Sequence, residues 1–158
     1  CGFYTDPNKE CTCHPQMIQK YMAKISGPLL DRIDLHIDVP AVKYKELSSK
    51  ESGEKSDHIR ARVIEAREIQ TKRFAGRKGL FANADMQSKE IREFCKIDSQ
   101  GEELLKMAIT KLGLSARAYD RILKVGRTIA DLAKSSDIRP EHISEAIQYR
   151  SLDRNLIA

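Results

Sequence analysis

Apolar residues recur at helical spacing through most of the chain from residue 57 onward, and this periodicity is the feature that most constrains the fold. Separate segments with this spacing begin at Asp57, Lys89, Glu102, Ala116 and Glu141, and glycine, serine or proline residues lie between them. Apolar residues three and four apart line one face of a helix, so each segment is expected to bury that face against the others. We therefore predict a compact helical bundle over residues 57–158.

Local signals mark the ends of these helices. Ser99 with Glu102 matches a capping box, Gly113 tolerates the left-handed conformation that ends a helix, and Ser115 is suited to cap the next one. Pro140 suits a first helical turn. The side chains expected in the core are Ile59, Val63, Ala66 and Phe74, then Cys95, and then Tyr119, Ile122, Leu123, Ile129 and Leu132.

A different pattern precedes the bundle. A helical run begins at Pro15, and the residues 33–39, IDLHIDV, then alternate between apolar and polar, which is typical of a strand that ends at Pro40. Residues 41–56 end in a polar stretch that is typical of a linker. The predicted organisation is a strand-bearing segment over 1–40, a linker over 41–56 and a helical domain over 57–158.

Composition narrows the class of protein. With 41% hydrophobic residues the chain can fill a modest core, and no apolar run approaches the length that crosses a bilayer. No secretory signal opens the sequence, so we predict a soluble, cytoplasmic protein with no membrane partner. The net charge of +5 is compatible with nucleic-acid binding but is weak support for it. No catalytic dyad or glycine-rich phosphate loop stands out, so the chain is not expected to run a reaction alone.

Arg32 lies within an otherwise apolar run in the stretch SGPLLDRIDLHIDVP, residues 26–40. A buried or half-buried guanidinium needs a partner, and an ion pair with Asp31 or Asp34 is the ordinary interpretation. The functional alternative is a phosphate contact across a subunit boundary, because the planar guanidinium fork matches phosphate oxygens and keeps its charge.

Arg117 is predicted in the first turn of a helix, where its charge opposes the positive end of the helix dipole. A bound anion would remove this conflict, because the free backbone N–H groups and the guanidinium would both point at it. A solvated surface arginine is the alternative.

Three of the four cysteines fall in the first thirteen residues, as Cys1 and the C-x-C pair Cys11 and Cys13, with His14 next to them. Four thiolates, or three and an imidazole, would suit tetrahedral Zn²⁺ and would stabilise a loop with little core. We predict Cys1, Cys11 and Cys13 as zinc ligands, the alternatives being inert thiols or a disulfide.

The first helix of the bundle is rich in basic residues and could follow a nucleic-acid backbone. Acidic residues are interleaved with them and no aromatic platform accompanies them, so a solvated face with helical ion pairs is the favoured interpretation. The basic residues are Arg60, Arg62, Arg67, Lys72, Arg73, Arg77 and Lys78, and the acidic ones Glu65 and Glu68.

Four runs carry a resemblance to a known family: CGFYTDPNKECTC, ISGPLLDRIDLHIDVP, LSARAYDRILKVGRTIADL and EAIQYRSLDR. They resemble the C-terminal half of bacterial magnesium-chelatase-like AAA+ ATPases, in the competence-associated, ComM-like branch. The resemblance implies that residues 1–40 are the end of the ATPase core with its last strand. It also implies that residues from about 57 onward are the α-helical lid, so that the fold is mainly α.

By the same resemblance, Arg32 matches the arginine finger, which reaches the γ-phosphate held by the adjacent subunit of a ring, and Arg117 matches the lid sensor. The implied cofactors of the parent protein are ATP and Mg²⁺. The sequence begins at Cys1 and not at an initiator methionine, so we expect a fragment of a longer protein. In this family the nucleotide-binding loop precedes the position of Cys1, so the fragment is expected to be inactive alone.

For the parent protein the resemblance favours a homo-oligomeric, hexameric ring that remodels DNA in recombination or transformation. Insertion of a metal into a tetrapyrrole is the alternative within the ATPase class. A stand-alone basic helical module that binds nucleic acid, without any ATPase, is the alternative from another class.

Overall fold

The computed structural model describes residues 1–4, 6, 8–37, 39, 42 and 53–150. Within them seven α-helices follow one another, and a 3-10 turn at Asn83–Asp85 lies between the third and fourth. They are α1 (Pro15–Met22), α2 (Gly27–Leu30), α3 (Ser56–Arg73), α4 (Ser88–Phe94), α5 (Ser99–Leu112), α6 (Ala116–Leu132) and α7 (Pro140–Gln148). The predicted mainly helical fold is therefore confirmed, and none of the described helices is long and apolar enough to cross a membrane.

Helix α6 is the centre of the bundle. It packs against α3, α4, the 3-10 turn and α7, while α5 packs on α7. One isolated parallel bridge, between Ile97 and Ile138, joins the segments that precede α5 and α7. The core side chains are Phe74, Met86, Ile91, Cys95, Leu105, Ile122, Leu123, Ala130, Ile138, Ile143 and Ala146.

The helix ends follow local chemistry, with one correction. Gly113 ends α5 with a left-handed φ of 61°, and Ser115 Oγ accepts a hydrogen bond of 3.2 Å from the Ala118 N–H, as predicted. The cap of α5 was predicted one residue too late. Asp98, with an extended backbone, accepts 2.7 Å from the Gly101 N–H, and Ser99 is already helical. Aspartate caps a helix as well as serine does, so the first suitable oxygen decided the start.

Several predicted core positions are wrong. Ala66 and Phe74 are buried, but Ile59 and Val63 remain 42% and 47% exposed, because the buried positions of α3 lie in its second half. Tyr119 and Leu132 in α6 are likewise about two fifths exposed, at 39% and 40%. Periodicity identifies the apolar face of a helix, but it does not say how much of that face meets another element.

The prediction of a strand over residues 33–39 is not met in the described part of this run. Residues 33–37 and 39 form no strand there, and Ile33, Leu35 and Ile37 are exposed while His36 is buried. The His36 N–H donates to the Tyr149 carbonyl at 2.8 Å, beyond the last residue of α7. A strand needs a neighbour to complete its hydrogen-bond ladder. The described part of the chain provides none, so the segment lies against the bundle through its backbone.

Candidate functional site

Arg32 lies in the turn that follows α2 and is exposed. Its Nη1 donates to the Pro28 carbonyl at 3.4 Å, and the described residues place no carboxylate against it. Its two acidic neighbours are engaged elsewhere, because Asp31 accepts from Ser115 Oγ at 2.8 Å and Asp34 pairs with Arg121. The local ion pair considered for Arg32 is therefore not what the structure contains.

Arg117 occupies the first turn of α6, as predicted, and is also exposed. That first turn contains no acidic side chain, and across the described ranges no hydrogen bond or ion pair reaches the Arg117 guanidinium. The partial positive charge of the helix start and the guanidinium charge therefore face solvent together, an arrangement that favours a bound anion.

One hydrogen bond connects the neighbourhoods of the two arginines. Ser115 caps α6 with its oxygen lone pair and donates its hydroxyl proton to Asp31, which directly precedes Arg32. The two partners are 84 positions apart, and no local pattern in the sequence indicates their contact. The structure thus attaches the Arg32 turn to the start of the helix that carries Arg117.

These features suit phosphate more than they suit a magnesium ion. Among the described residues neither guanidinium group pairs with a carboxylate, which leaves their donors available to phosphate oxygens. Among the described residues, the group of three or more metal-ligating side chains is made of cysteines, not of the carboxylates that Mg²⁺ prefers. The positive charge of each arginine is suited to an anion such as phosphate.

The three N-terminal cysteines converge, as their prediction as joint ligands requires. Cys1 Sγ lies 3.3 Å from Cys13 Sγ and 3.6 Å from Cys11 Sγ, and all three sulfurs lie within 4.8 Å of one another. His14 is not part of this group; it is exposed and directly precedes α1.

Cys95 differs from these three cysteines in its position in the fold and in its burial. It is buried in the bundle core, as predicted, and burial raises the pKa of its thiol to about 12. A thiol that stays protonated at neutral pH is a poor nucleophile and a poor metal ligand. Cys95 therefore contributes packing.

Three basic residues of α3 form ion pairs among the described residues, but the interleaved Glu65 and Glu68 take part in none of them. The pair of Arg60 with Asp57 is the one that lies within the helix. Arg60 contacts Asp57 at 3.3 Å and Arg62 contacts Glu54 at 2.8 Å. Arg73 turns inward to Asp131, a buried partner that the sequence did not indicate. Charges neutralised in this way are less available to a nucleic-acid backbone.

Two protein-family models match the chain in consecutive ranges. Residues 53–150 match the family model described as magnesium chelatase, subunit ChlI C-terminal, and residues 1–47 match magnesium chelatase, subunit ChlI. The first match alone covers more than half of the chain. The chain belongs to the magnesium chelatase family, as its sequence motifs led us to expect.

Individual relatives are similar over nearly the whole chain. Competence protein ComM of Haemophilus influenzae is 44% identical over 156 residues, which are 98% of this chain and 29% of that protein. The uncharacterized protein YifB of Escherichia coli is 42% identical over 157 residues, 99% of this chain and 30% of that protein. The chain thus spans less than a third of the length of these relatives.

Proposed function

We propose that this chain is the C-terminal part of an ATP-hydrolysing ring protein, in which Arg32 is the arginine finger and Arg117 is the lid sensor. The observation that carries the proposal is that both arginines are exposed and neither has a carboxylate partner among the described residues. Family membership supports the assignment, because the two arginine-bearing runs lie within the regions that match the family models.

The roles follow from the chemistry of the guanidinium group. ATP supplies a γ-phosphoryl group whose transfer to water develops negative charge on oxygen. Arg32 would bind those oxygens in the adjacent subunit with a planar fork that stays charged at any working pH. Arg117 would hold the phosphates of its own subunit, together with the free N–H groups at the start of α6.

Dividing the two arginines between subunits makes turnover depend on assembly. A subunit that receives Arg32 only from its neighbour does not have a full set of charges until the ring forms. The hydrogen bond from Ser115 to Asp31 also makes the position of Arg32 depend on the position of the lid, because it joins the Arg32 turn to the lid. A rotation of the lid would therefore move the finger, which couples hydrolysis to domain motion. We infer a homo-oligomeric ring, in hexameric form.

For the work that the motor performs, we propose DNA remodelling in recombination or transformation. The similarity to a protein named for competence favours this role. The description of the matching family models favours the alternative, insertion of a metal into a tetrapyrrole. ATPase activity of the full-length protein that rises on addition of DNA would support the first role, and dependence on a porphyrin and partner subunits would support the second.

The first test is Arg32→Ala in the full-length protein. Loss of a finger arginine typically lowers turnover by about a thousandfold or more. We expect steady-state phosphate release to fall by that order while binding of a fluorescent ATP analogue is retained, since the finger acts on the neighbouring site. Arg60→Ala, which removes an exposed charge from α3, is the matched control and should leave turnover unchanged. Turnover of Arg32→Ala near that of the wild type would refute the assignment.

The second test is Arg117→Ala, which should act on the subunit's own nucleotide. Removing a charge-assisted contact to phosphate costs about 1.5–3 kcal/mol, so the dissociation constant for ATP should rise by roughly ten- to a hundredfold. Equilibrium titration with the fluorescent analogue measures this change, and Arg92→Ala, on the exposed side of α4, is the control. If both variants bind nucleotide as the wild type does, Arg117 is an ordinary surface residue.

A further inference from the structure

We propose that Cys1, Cys11 and Cys13 bind a structural zinc ion through three thiolates. This site is separate from Arg32 and Arg117 and does not depend on the function proposed for them. The ion would hold the N-terminal loop closed and fix it to the start of α1, which begins at Pro15.

The sulfur spacing fits a metal better than it fits a disulfide. Two thiolates bound to tetrahedral zinc at about 2.3 Å lie roughly 3.8 Å apart, whereas a disulfide needs about 2.05 Å. The observed Sγ separations from Cys1 are 3.3 Å to Cys13 and 3.6 Å to Cys11. Because Cys1 contacts both other cysteines, the three sulfurs form one group rather than a bonded pair with a bystander.

The loop that carries these cysteines has little else to hold it. None of its described residues belongs to the hydrophobic core of the bundle, and Tyr4 is 55% exposed. Among its described residues, one backbone hydrogen bond of 3.1 Å runs from the Asp6 N–H to the Phe3 carbonyl. A loop that buries little apolar surface is commonly stabilised by a metal cross-link instead.

The surroundings suit a thiolate site. Lys9 is part of the same loop, with its Nζ 4.6 Å from the centre of the Phe3 ring, and its charge is opposite in sign to the net negative charge of three thiolates and one Zn²⁺. The Cys1 amino group donates to Cys13 Sγ at 3.4 Å. Three sulfurs leave one position of the tetrahedron for a donor from outside the group.

Zinc binding would release the protons of the three thiols. Each thiol passes its proton to the buffer and its sulfur lone pair binds the ion, with no change of oxidation state. Zinc affinity is therefore expected to fall as the pH is lowered, because protons compete with the metal for each sulfur.

The test is the metal content and the cobalt spectrum of the chain purified under reducing conditions in the presence of zinc. We expect about one Zn²⁺ per chain. Cobalt added to the metal-free chain should give the visible bands of tetrahedral coordination and the near-ultraviolet charge-transfer band of thiolate ligands, and zinc should displace it. A chain that binds neither metal, or one in which Cys1 forms a disulfide under the same conditions, would overturn the proposal.

Substitutions assign the ligands. Cys1→Ser, Cys11→Ser and Cys13→Ser should each lose stoichiometric zinc, whereas Cys95→Ala, the matched control in the bundle core, should retain it. Far-ultraviolet circular dichroism should be unchanged in the three serine variants, because their cysteines lie outside the core, so metal loss can be distinguished from unfolding. Zinc binding that survives all three substitutions would contradict the assignment.

Thiol reactivity gives an independent readout. With zinc bound, the three cluster thiols should resist a chromogenic disulfide reagent, and chelation should expose them. Cys95 should stay unreactive in both states because it is buried. Equal reactivity of the cluster with and without zinc would count against the site. Failure of this proposal would leave the Arg32 and Arg117 tests unaffected, since those measure nucleotide turnover and binding.

Discussion

At the scale of single residues, Asp131 makes the most concentrated set of interactions in the bundle. Its side chain is fully buried and accepts from Arg73 Nη1 at 2.7 Å, Arg127 Nε at 3.1 Å and Asn83 Nδ2 at 2.8 Å. Burial lowers the pKa of the Arg127 guanidinium, although the neighbouring Asp131 carboxylate opposes that shift. Arg127 also donates to the carbonyls of Ser135 and Ser136, so the network holds the loop between α6 and α7.

Removing the Asp131 charge should therefore be costly. Asp131→Asn would leave two guanidinium groups in the interior without a counter-charge, and breaking a buried pair in this way typically destabilises a protein by about 3–5 kcal/mol. Urea unfolding followed by circular dichroism measures the loss. Glu65→Gln is the matched control, because its 2.8 Å pair with Lys134 is exposed and should contribute less than about 1 kcal/mol. Equal losses for the two variants would mean that the buried network is not a stabilising element.

At the scale of elements, local chemistry sets the ends of the helices. The packing of α6 against α7 depends on a glycine. Gly126 lies in the interior of α6, where a glycine costs about 1 kcal/mol of helix stability relative to alanine. A Cβ at this position would lie 3.1 Å from Ile143 Cδ1 and 3.6 Å from Ile138 Cγ2. The glycine thus permits the close approach of α6 to α7, which places Ile143 in the core.

The start of α5 gives a prediction at this scale. Asp98→Ala removes the side-chain oxygen that accepts from the Gly101 N–H, and loss of such a cap costs about 1 kcal/mol. Ser99→Ala, at the residue that the sequence pattern favoured as the cap, should change stability by less than about 0.5 kcal/mol. Thermal and urea unfolding of the two variants distinguish the positions. A larger loss of stability for Ser99→Ala would show that Ser99, and not Asp98, caps α5.

At the scale of the whole molecule, residues 31–36 lie on the bundle through a few polar contacts with α6 and the end of α7. Ser115 bonds to Asp31, Arg121 pairs with Asp34, and the His36 N–H donates to the Tyr149 carbonyl. Arg150 is buried beneath the segment, where its guanidinium donates to the Ile33 carbonyl and lies 3.7 Å from the Asp31 carboxylate. These contacts attach the Arg32 turn to the helical domain.

Arg150→Met should loosen this attachment while keeping most of the buried volume. We expect faster hydrogen exchange at the His36 amide and its neighbours, because the segment loses a donor and opens more often. Amides in the centre of α6 should keep their protection. Arg139→Met, at a position that is 65% exposed, is the control and should change neither region. Unchanged exchange at His36 would show that Arg150 does not hold the segment in place.

The sequence by itself determined the helical class and most helix boundaries, because these depend on interactions between residues a few positions apart. Gly113, Ser115 and Pro140 mark ends that the structure retains, and Cys95, Phe74 and Ile122 are buried as their spacing predicts. The convergence of Cys1, Cys11 and Cys13 also follows a short-range pattern, since thirteen residues contain all three.

Only the tertiary structure decided which apolar residues become buried and which distant side chains form pairs. Ile59 and Val63 belong to an apolar face that no described element covers, and the alternating run at 33–37 buries His36 instead of its apolar residues. Asp131 pairs with Arg73 across 58 positions, Asp31 with Ser115 across 84, and Arg150 with Ile33 across 117. No local rule specifies contacts at such separations. Local periodicity reports what a segment can bury, whereas the contacts it makes depend on which distant surface packs against it.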